Sequence, residues 1–223
     1  MKRTPLRQRP LPAYTKGEEL FSCVSHIVGG AFGIIVLIVC LAVSLRHSSV
    51  WAAVSSAIYG CSMIVLYSFS SIYHGLRPGT GKRVMQVLDH CGIYFLIAGT
   101  YTPIVICSIR PEYPGWGWGI FGAVWALAAA ATVFTAIDLK KYAKLSMVCY
   151  ILMGWCIIVA LKPTLEVLPL PAFLWLLSGG ISYTVGAVLY GIGKKKCWMH
   201  GVFHIFVLLG SVLQFICVVG YVI

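Results

Sequence analysis

Apolar residues come along this chain in seven long runs separated by short polar stretches. A helix needs about 20 mainly apolar residues to cross the hydrocarbon core of a bilayer. By that ruler the runs fall at 20–45, 51–74, 84–109, 115–137, 143–161, 169–192 and 198–223. The pattern predicts an all-α, polytopic membrane protein with seven transmembrane helices. The connecting loops are short and hold nearly all the charges. One helical domain, 18–223, therefore accounts for the chain, behind a basic, Pro-containing tail at 1–17. The first run is too long and too Gly-rich in its middle for a cleaved signal peptide, so it is expected to stay in the mature protein. Small residues at four-residue spacing, Gly29/Gly33 and Ser182/Gly186, predict close helix contacts. Pro103 predicts a kink in the third helix. No internal repeat supports a secondary transporter.

Composition agrees and narrows the class. The chain is 60% apolar and 10% charged, with a mean hydropathy of +0.90. A soluble domain carries about 45–50% apolar and about 25% charged residues, so a soluble globular reading is excluded. Disorder is excluded too, because disordered chains are polar and poor in aromatics. The nine cysteines are odd in number, sit mostly inside apolar runs and never at a CxxC spacing. They read as small core residues. The chain has no Asn, hence no glycosylation sequon and no NPxxY signature of G-protein-coupled receptors.

The net charge of +11 changes meaning once the chain is placed in a bilayer. In a soluble protein it would suggest nucleic acid, whereas in a membrane protein basic residues collect at cytoplasmic loops. The tail carries Lys2, Arg3, Arg7, Arg9 and Lys16. The even-numbered loops carry Arg77, Lys82, Arg83, then Lys140, Lys141, Lys144, then Lys194, Lys195, Lys196. Only Arg46, Arg110 and Lys162 fall on the other face. This distribution predicts a cytoplasmic N-terminus, an outside C-terminus and a multi-pass protein of the plasma or inner membrane. Its partners are membrane lipids and no nucleic acid.

Ionisable residues inside a bilayer cost several kcal/mol unless paired, liganded or wet. Mapped on this topology, His74 closes the second helix at the cytoplasmic face. Asp89 stands about one and a half turns into the third, and His200 and His204 open the seventh from the same face. His26 has a similar depth in the first helix. His200 and His204 are i, i+4 and project from one side of a helix, a spacing that suits two ligands on one metal. Ser70 and His74 have the same relation, and Ser211 and Gln214 continue the polar stripe of the seventh helix. Three imidazoles and a water make an open zinc site, and a nearby carboxylate can orient that water or take its proton. A single HxxxH or interfacial His is more often a hydrogen-bonded or snorkelling residue. The coincidence of HxxxH, His74 and Asp89 at one depth is what favours a metal. His90 follows Asp89 directly and is expected on a different face, while His47 belongs to an outer loop. Cys23, Cys91 and Cys197 lie near the same face, with spacings that give no reason to prefer them as ligands.

At these residues the chain resembles the hemolysin III family, the bacterial branch of the progestin and adipoQ receptor group. The resemblance rests on Glu19 to His26 before a Gly pair and on Ser70–Ser71–Ile72–Tyr73–His74. It continues through Leu88–Asp89–His90–Cys91 and Ala98–Gly99–Thr100–Tyr101–Thr102–Pro103 to His200–Gly201–Val202–Phe203–His204. It spans nearly the whole chain in order. Ser22 departs from it, since the family often has Asn four residues before the first-helix His. The resemblance implies a seven-helix, N-inside fold shared with adiponectin receptors and similar to alkaline ceramidases. It also implies Zn2+ held by His74, His200 and His204, with Asp89 and Ser70 beside the metal-bound water.

Three functions compete at this stage. A zinc-dependent hydrolase of lipid amides or esters would use Asp89 and Ser70 as catalytic residues. A sensor or receptor would use the zinc to tie helices together. A cytolytic pore would need a continuous polar path, yet helices one, four and five offer few polar residues beyond Ser and Thr.

Overall fold

The computed structural model describes residues 4–193 and 196–223. Among the described residues seven helices are long and apolar enough to cross a membrane: α1 (Lys16–Arg46), α2 (Val50–Gly75), α3 (Thr80–Glu112), α4 (Pro114–Ile137), α5 (Ala143–Val167), α6 (Leu170–Gly193) and α7 (Met199–Tyr221). No strand occurs among the described residues. Of the basic residues assigned to the tail and the sixth loop, Lys2, Arg3, Lys194 and Lys195 lie outside the described residues.

Every apolar run has its helix, but several ends move. α1 starts at Lys16 because Thr15 and Glu18 form a capping box. The Thr15 hydroxyl accepts from the Glu18 amide at 3.2 Å, and the Glu18 carboxylate accepts from the Thr15 amide at 2.9 Å. A polar first turn is thus helical too, which an apolar run cannot reveal. The largest correction is at α5, expected to end at 161 and in fact reaching Val167. It is wound as α-helix over Ala143–Gly154, as 3₁₀ helix over Cys156–Ala160 and as α-helix again over Leu161–Val167. The Tyr101 hydroxyl fills the break. It donates to the Gly154 carbonyl at 2.9 Å and accepts from the Ile157 amide at 3.0 Å, satisfying backbone groups that the change of winding frees. In α3 the irregularity follows Pro103, where α-helix gives way to a π-helical stretch, Ile104–Ile109.

Small residues set the packing, as their spacing predicts. A Cβ at Gly29 would stand 2.5 Å from the Tyr67 ring, and one at Gly60 would stand 2.7 Å from the Leu37 Cα, so α1 and α2 lie backbone to backbone. Between α6 and α7, Ser182 donates to the Phe206 carbonyl at 2.8 Å, and a Cβ at Gly186 would meet Phe206 at 2.8 Å. The helices follow one another in space as α4, α3, α2, α1, α7, α6, with α5 closing the gap and touching α6 sparingly. Two buried apolar clusters result. One gathers Val36, Tyr59, Met63 and Tyr67 with Val207 and Val218, and the other gathers Tyr94, Val105, Ile120 and Met153. Aliphatic side chains such as Ile38, Val54, Leu152 and Ile192 cover the outside, which suits a lipid solvent.

Residues 4–15 fold back over the end of the bundle where α1, α3, α5 and α7 begin. Arg9 is buried, its Nη2 donating to the Ile137 carbonyl at 2.5 Å, and Arg83 Nε donates to the Arg9 carbonyl at 2.8 Å. The Thr4 amide donates to Asp138 in the α4–α5 loop. Burial works to raise the Asp138 carboxyl. The Lys141 and Thr4 donors and the Arg9 charge outweigh it and hold the group below the usual carboxylate range.

Candidate metal centre

The alternation of the helices brings distant residues to one level. His74 sits in the last turn of α2, His200 and His204 in the first two turns of α7, Glu19 in the first turn of α1 and Lys82 in the first turn of α3. His74 Nε2 and His200 Nε2 are 3.0 Å apart, and so are His204 Nε2 and His200 Nε2. Each of the three residues offers a ring nitrogen within 4.8 Å of the others.

The outer nitrogens say what those inner ones carry. His74 Nδ1 lies 2.7 Å from a Glu19 carboxylate oxygen, which can only accept, so Nδ1 holds a proton and in the neutral ring Nε2 presents a lone pair. His204 Nδ1 lies 3.3 Å from Ser25 Oγ, whose own proton goes to the Ser22 carbonyl at 3.0 Å. His204 Nδ1 is therefore the donor and its Nε2 is again a lone pair. His200 Nε2 stands between the two and has one proton at most, so it can satisfy one neighbour and not both. His200 Nδ1 is buried without a hydrogen-bond partner. Converging lone pairs with protons held outward is a donor set for a cation, and imidazole nitrogens suit zinc and its transition-metal neighbours. Ligand nitrogens about 2.0–2.1 Å from a tetrahedral ion would lie about 3.3 Å apart, close to the spacing here. His74, His200 and His204 could hold a metal ion.

Asp89 and Ser70 are buried on the wall of a cavity of about 180 Å³ that also includes His200 and His204. The cavity runs between α3, α5, α6 and α7, and most of its wall is apolar, with Leu66, Ile93, Ile97, Ile157 and Leu176 among the lining. The neighbours of the Asp89 carboxylate are His90, His74 and Ser70. The Ser70 hydroxyl is buried beside that carboxylate and meets no hydrogen-bond partner of ordinary geometry. Gln214 lines the same cavity further along α7, as its stripe predicts. Ser211 binds the Tyr67 and Tyr183 hydroxyls at 2.7 and 3.0 Å instead. His90, expected on another face, also reaches this wall, its Nδ1 donating to the Gln86 carbonyl at 2.8 Å. His26 stacks on His204 with ring centroids 3.7 Å apart, both its nitrogens buried and unpartnered. The nine cysteines are free thiols, and none joins the His cluster.

Five residues at or beside the site escaped the sequence reading: Tyr14, Glu18, Glu19 as a partner of His74, Ser25 and Lys82. Tyr14 lies flat on His200, centroids 4.9 Å apart, so residues 4–15 roof the site. Burial pushes its phenol up, leaving a neutral hydrogen-bond donor there. The adjacent acids Glu18 and Glu19 were the one available signal, since the chain holds only six acidic residues.

A family model described as Haemolysin-III related matches residues 14–215. The chain belongs to the haemolysin III family. This haemolysin III protein is 38% identical to Hemolysin-3 of Bacillus cereus, with 92% of each chain covered. It is 36% identical to a Hemolysin-3 homolog of Bacillus subtilis (strain 168), over 93% of this chain and 96% of the relative. A more distant likeness, 26% identity over 98% of this chain and 90% of the relative, is to the human monocyte to macrophage differentiation factor. No solved structure matches. Membership and the seven spans together make it a multi-pass membrane protein.

Proposed function

We propose that this haemolysin III protein is a zinc-dependent intramembrane hydrolase of lipid amides or esters. The observation that carries this reading is the convergence of ring nitrogens from His74, His200 and His204 beside an apolar cavity whose wall holds His200, His204, the buried Asp89 carboxylate and the Ser70 hydroxyl. A zinc ion held by His74, His200 and His204 would supply Lewis acidity toward a carbonyl and toward a water whose pKa it lowers to about 7. The apolar wall binds an acyl chain and excludes bulk water, placing the scissile carbonyl at the cavity's polar end. Asp89 takes the proton of the attacking water as its oxygen bonds to the carbonyl carbon. It returns that proton to the leaving amine or alcohol when the C–N or C–O bond breaks. Ser70 donates a hydrogen bond to the oxygen that gains charge. The test is metal analysis of purified protein together with turnover of a long-chain N-acyl amide and a long-chain ester in detergent. Zinc near one per chain and release of fatty acid are expected. Metal-free protein that behaves in cells like its His→Ala variants would end the proposal.

A structural metal is the second reading, favoured by the fact that the cluster joins α2 to α7 and, through Glu19, to α1 and α3. The Asp89 variant discussed below separates the two.

The site is proposed to open near the cytoplasmic face, on the support of the fourteen basic residues assigned to that side. Alkaline phosphatase fused after Ile223 is then active and a fluorescent protein fused there is dark. The opposite pattern would invert the orientation.

A further inference from the structure

α1 carries no residue of the His triad, yet two successive acids at its start grip both helices that do. Glu18 Oε1 accepts the Trp198 amide at 2.7 Å, one residue before α7 begins and two before His200. Glu19 places one carboxylate oxygen 2.7 Å from His74 Nδ1 and the other 2.7 Å from Lys82 Nζ. Successive helical positions point about 100° apart, so one pair of neighbours can face α7 on one side and α2 and α3 on the other. That fits the place of α1 in the bundle, between α2 and α7.

Lys82 shows that the Glu19 contact is built rather than incidental. Its side chain is buried, and its ammonium also donates to the Leu76 carbonyl at 3.0 Å and the His74 carbonyl at 3.5 Å, at the C-terminal end of α2. A buried ammonium is retained only when paired. The pair fixes the Glu19 carboxylate on one side, and the fixed carboxylate then orients His74 on the other. A carboxylate on the outer nitrogen of a ligating His keeps the proton there, locks the ring and raises the basicity of the inner nitrogen.

We propose that Glu19 is a positioning residue of the metal centre, setting the tautomer and aim of His74 and held in place by Lys82. This rests on the reading of the His triad as a metal site. Full-length wild type, Glu19→Gln and Glu19→Ala, purified in detergent and stripped by a chelator, are titrated with Zn2+ against a chromophoric competitor. Each is also loaded with Co2+, and its visible absorption band is recorded. Glu19→Ala is expected to bind Zn2+ about 10–100-fold more weakly and to shift or weaken the Co2+ band. Glu19→Gln keeps an acceptor for His74 Nδ1 but loses the charge, and is expected between the two. It also carries the test if Glu19→Ala does not fold. Wild-type Zn2+ affinity and an unchanged Co2+ band in the variants overturn the inference, even where they melt earlier, because the role is then structural only. Wild type that takes up neither ion overturns the metal reading itself, and this inference with it.

Discussion

His204→Ala protein is expected to leave purification without metal and to melt at one temperature whether or not a chelator is present. Wild type is expected to hold about one ion per chain and to melt lower once stripped. The size of that difference follows from linkage: a ligand bound only by the folded state adds about 2.7 kcal/mol at 100 times its Kd and about 4.1 at 1,000 times. For a domain of this length that is roughly 5–15 °C. His204 is the decisive position because it is 1% exposed and its Nε2 faces His200 directly. Loss of a ligand removes more than the about 10–100-fold that an outer partner is worth. Truncation also leaves a void under His26, which stacks on the lost ring, so the stripped variant alone is an ambiguous control. His204→Gln keeps most of the volume and should share the loss of metal while melting closer to stripped wild type. Metal content equal to wild type in both variants, or a wild-type melting point indifferent to chelator, sinks the metal reading.

The parts of the molecule that could be read from sequence are those with one dominant physical term. Spans were legible because a bilayer demands about 20 apolar residues. The His cluster was legible because alternation places the end of α2 and the start of α7 at one level, and i, i+4 spacing puts His200 and His204 on one side. The residues missed are those whose alternatives are close in energy. Glu19 and Lys82 sit at helix ends, where a charge is ordinarily solvated, and only the fold shows Lys82 buried and Glu19 half-buried against His74. Tyr14 follows Pro10 and Pro12 in what reads as a linker, and its stacking on His200 depends on Arg9 and Thr4 finding Ile137 and Asp138, more than 120 residues away. The break in α5 was hidden because Gly154–Trp155 interrupts no apolar run; it exists because Tyr101 supplies the missing hydrogen bonds from another helix.

Asp89→Asn separates chemistry from architecture. Asparagine has nearly the shape of aspartate, and Asp89 contributes no nitrogen to the His triad, so the variant is expected to fold and to keep wild-type metal content. What it loses is a group that can accept a proton. As a general base Asp89 would contribute about 10²- to 10⁴-fold, so turnover is expected to fall by that factor, or about 2.7–5.5 kcal/mol of barrier. The drop should appear in kcat more than in KM, because an acyl chain would be held by the apolar wall and not by the carboxylate. If the metal serves only to tie α2 to α7, the same variant keeps its metal, its melting temperature and whatever output the protein has. Ser70→Ala reinforces the distinction, since the Ser70 hydroxyl lies on the cavity wall beside the Asp89 carboxylate. A fall in turnover with metal content kept is expected where the hydroxyl serves the reacting oxygen or the Asp89 carboxylate. Full turnover in both variants would leave the carboxylate and hydroxyl without the chemical roles assigned to them, and absent turnover in wild type with metal bound would hand the site to the structural reading.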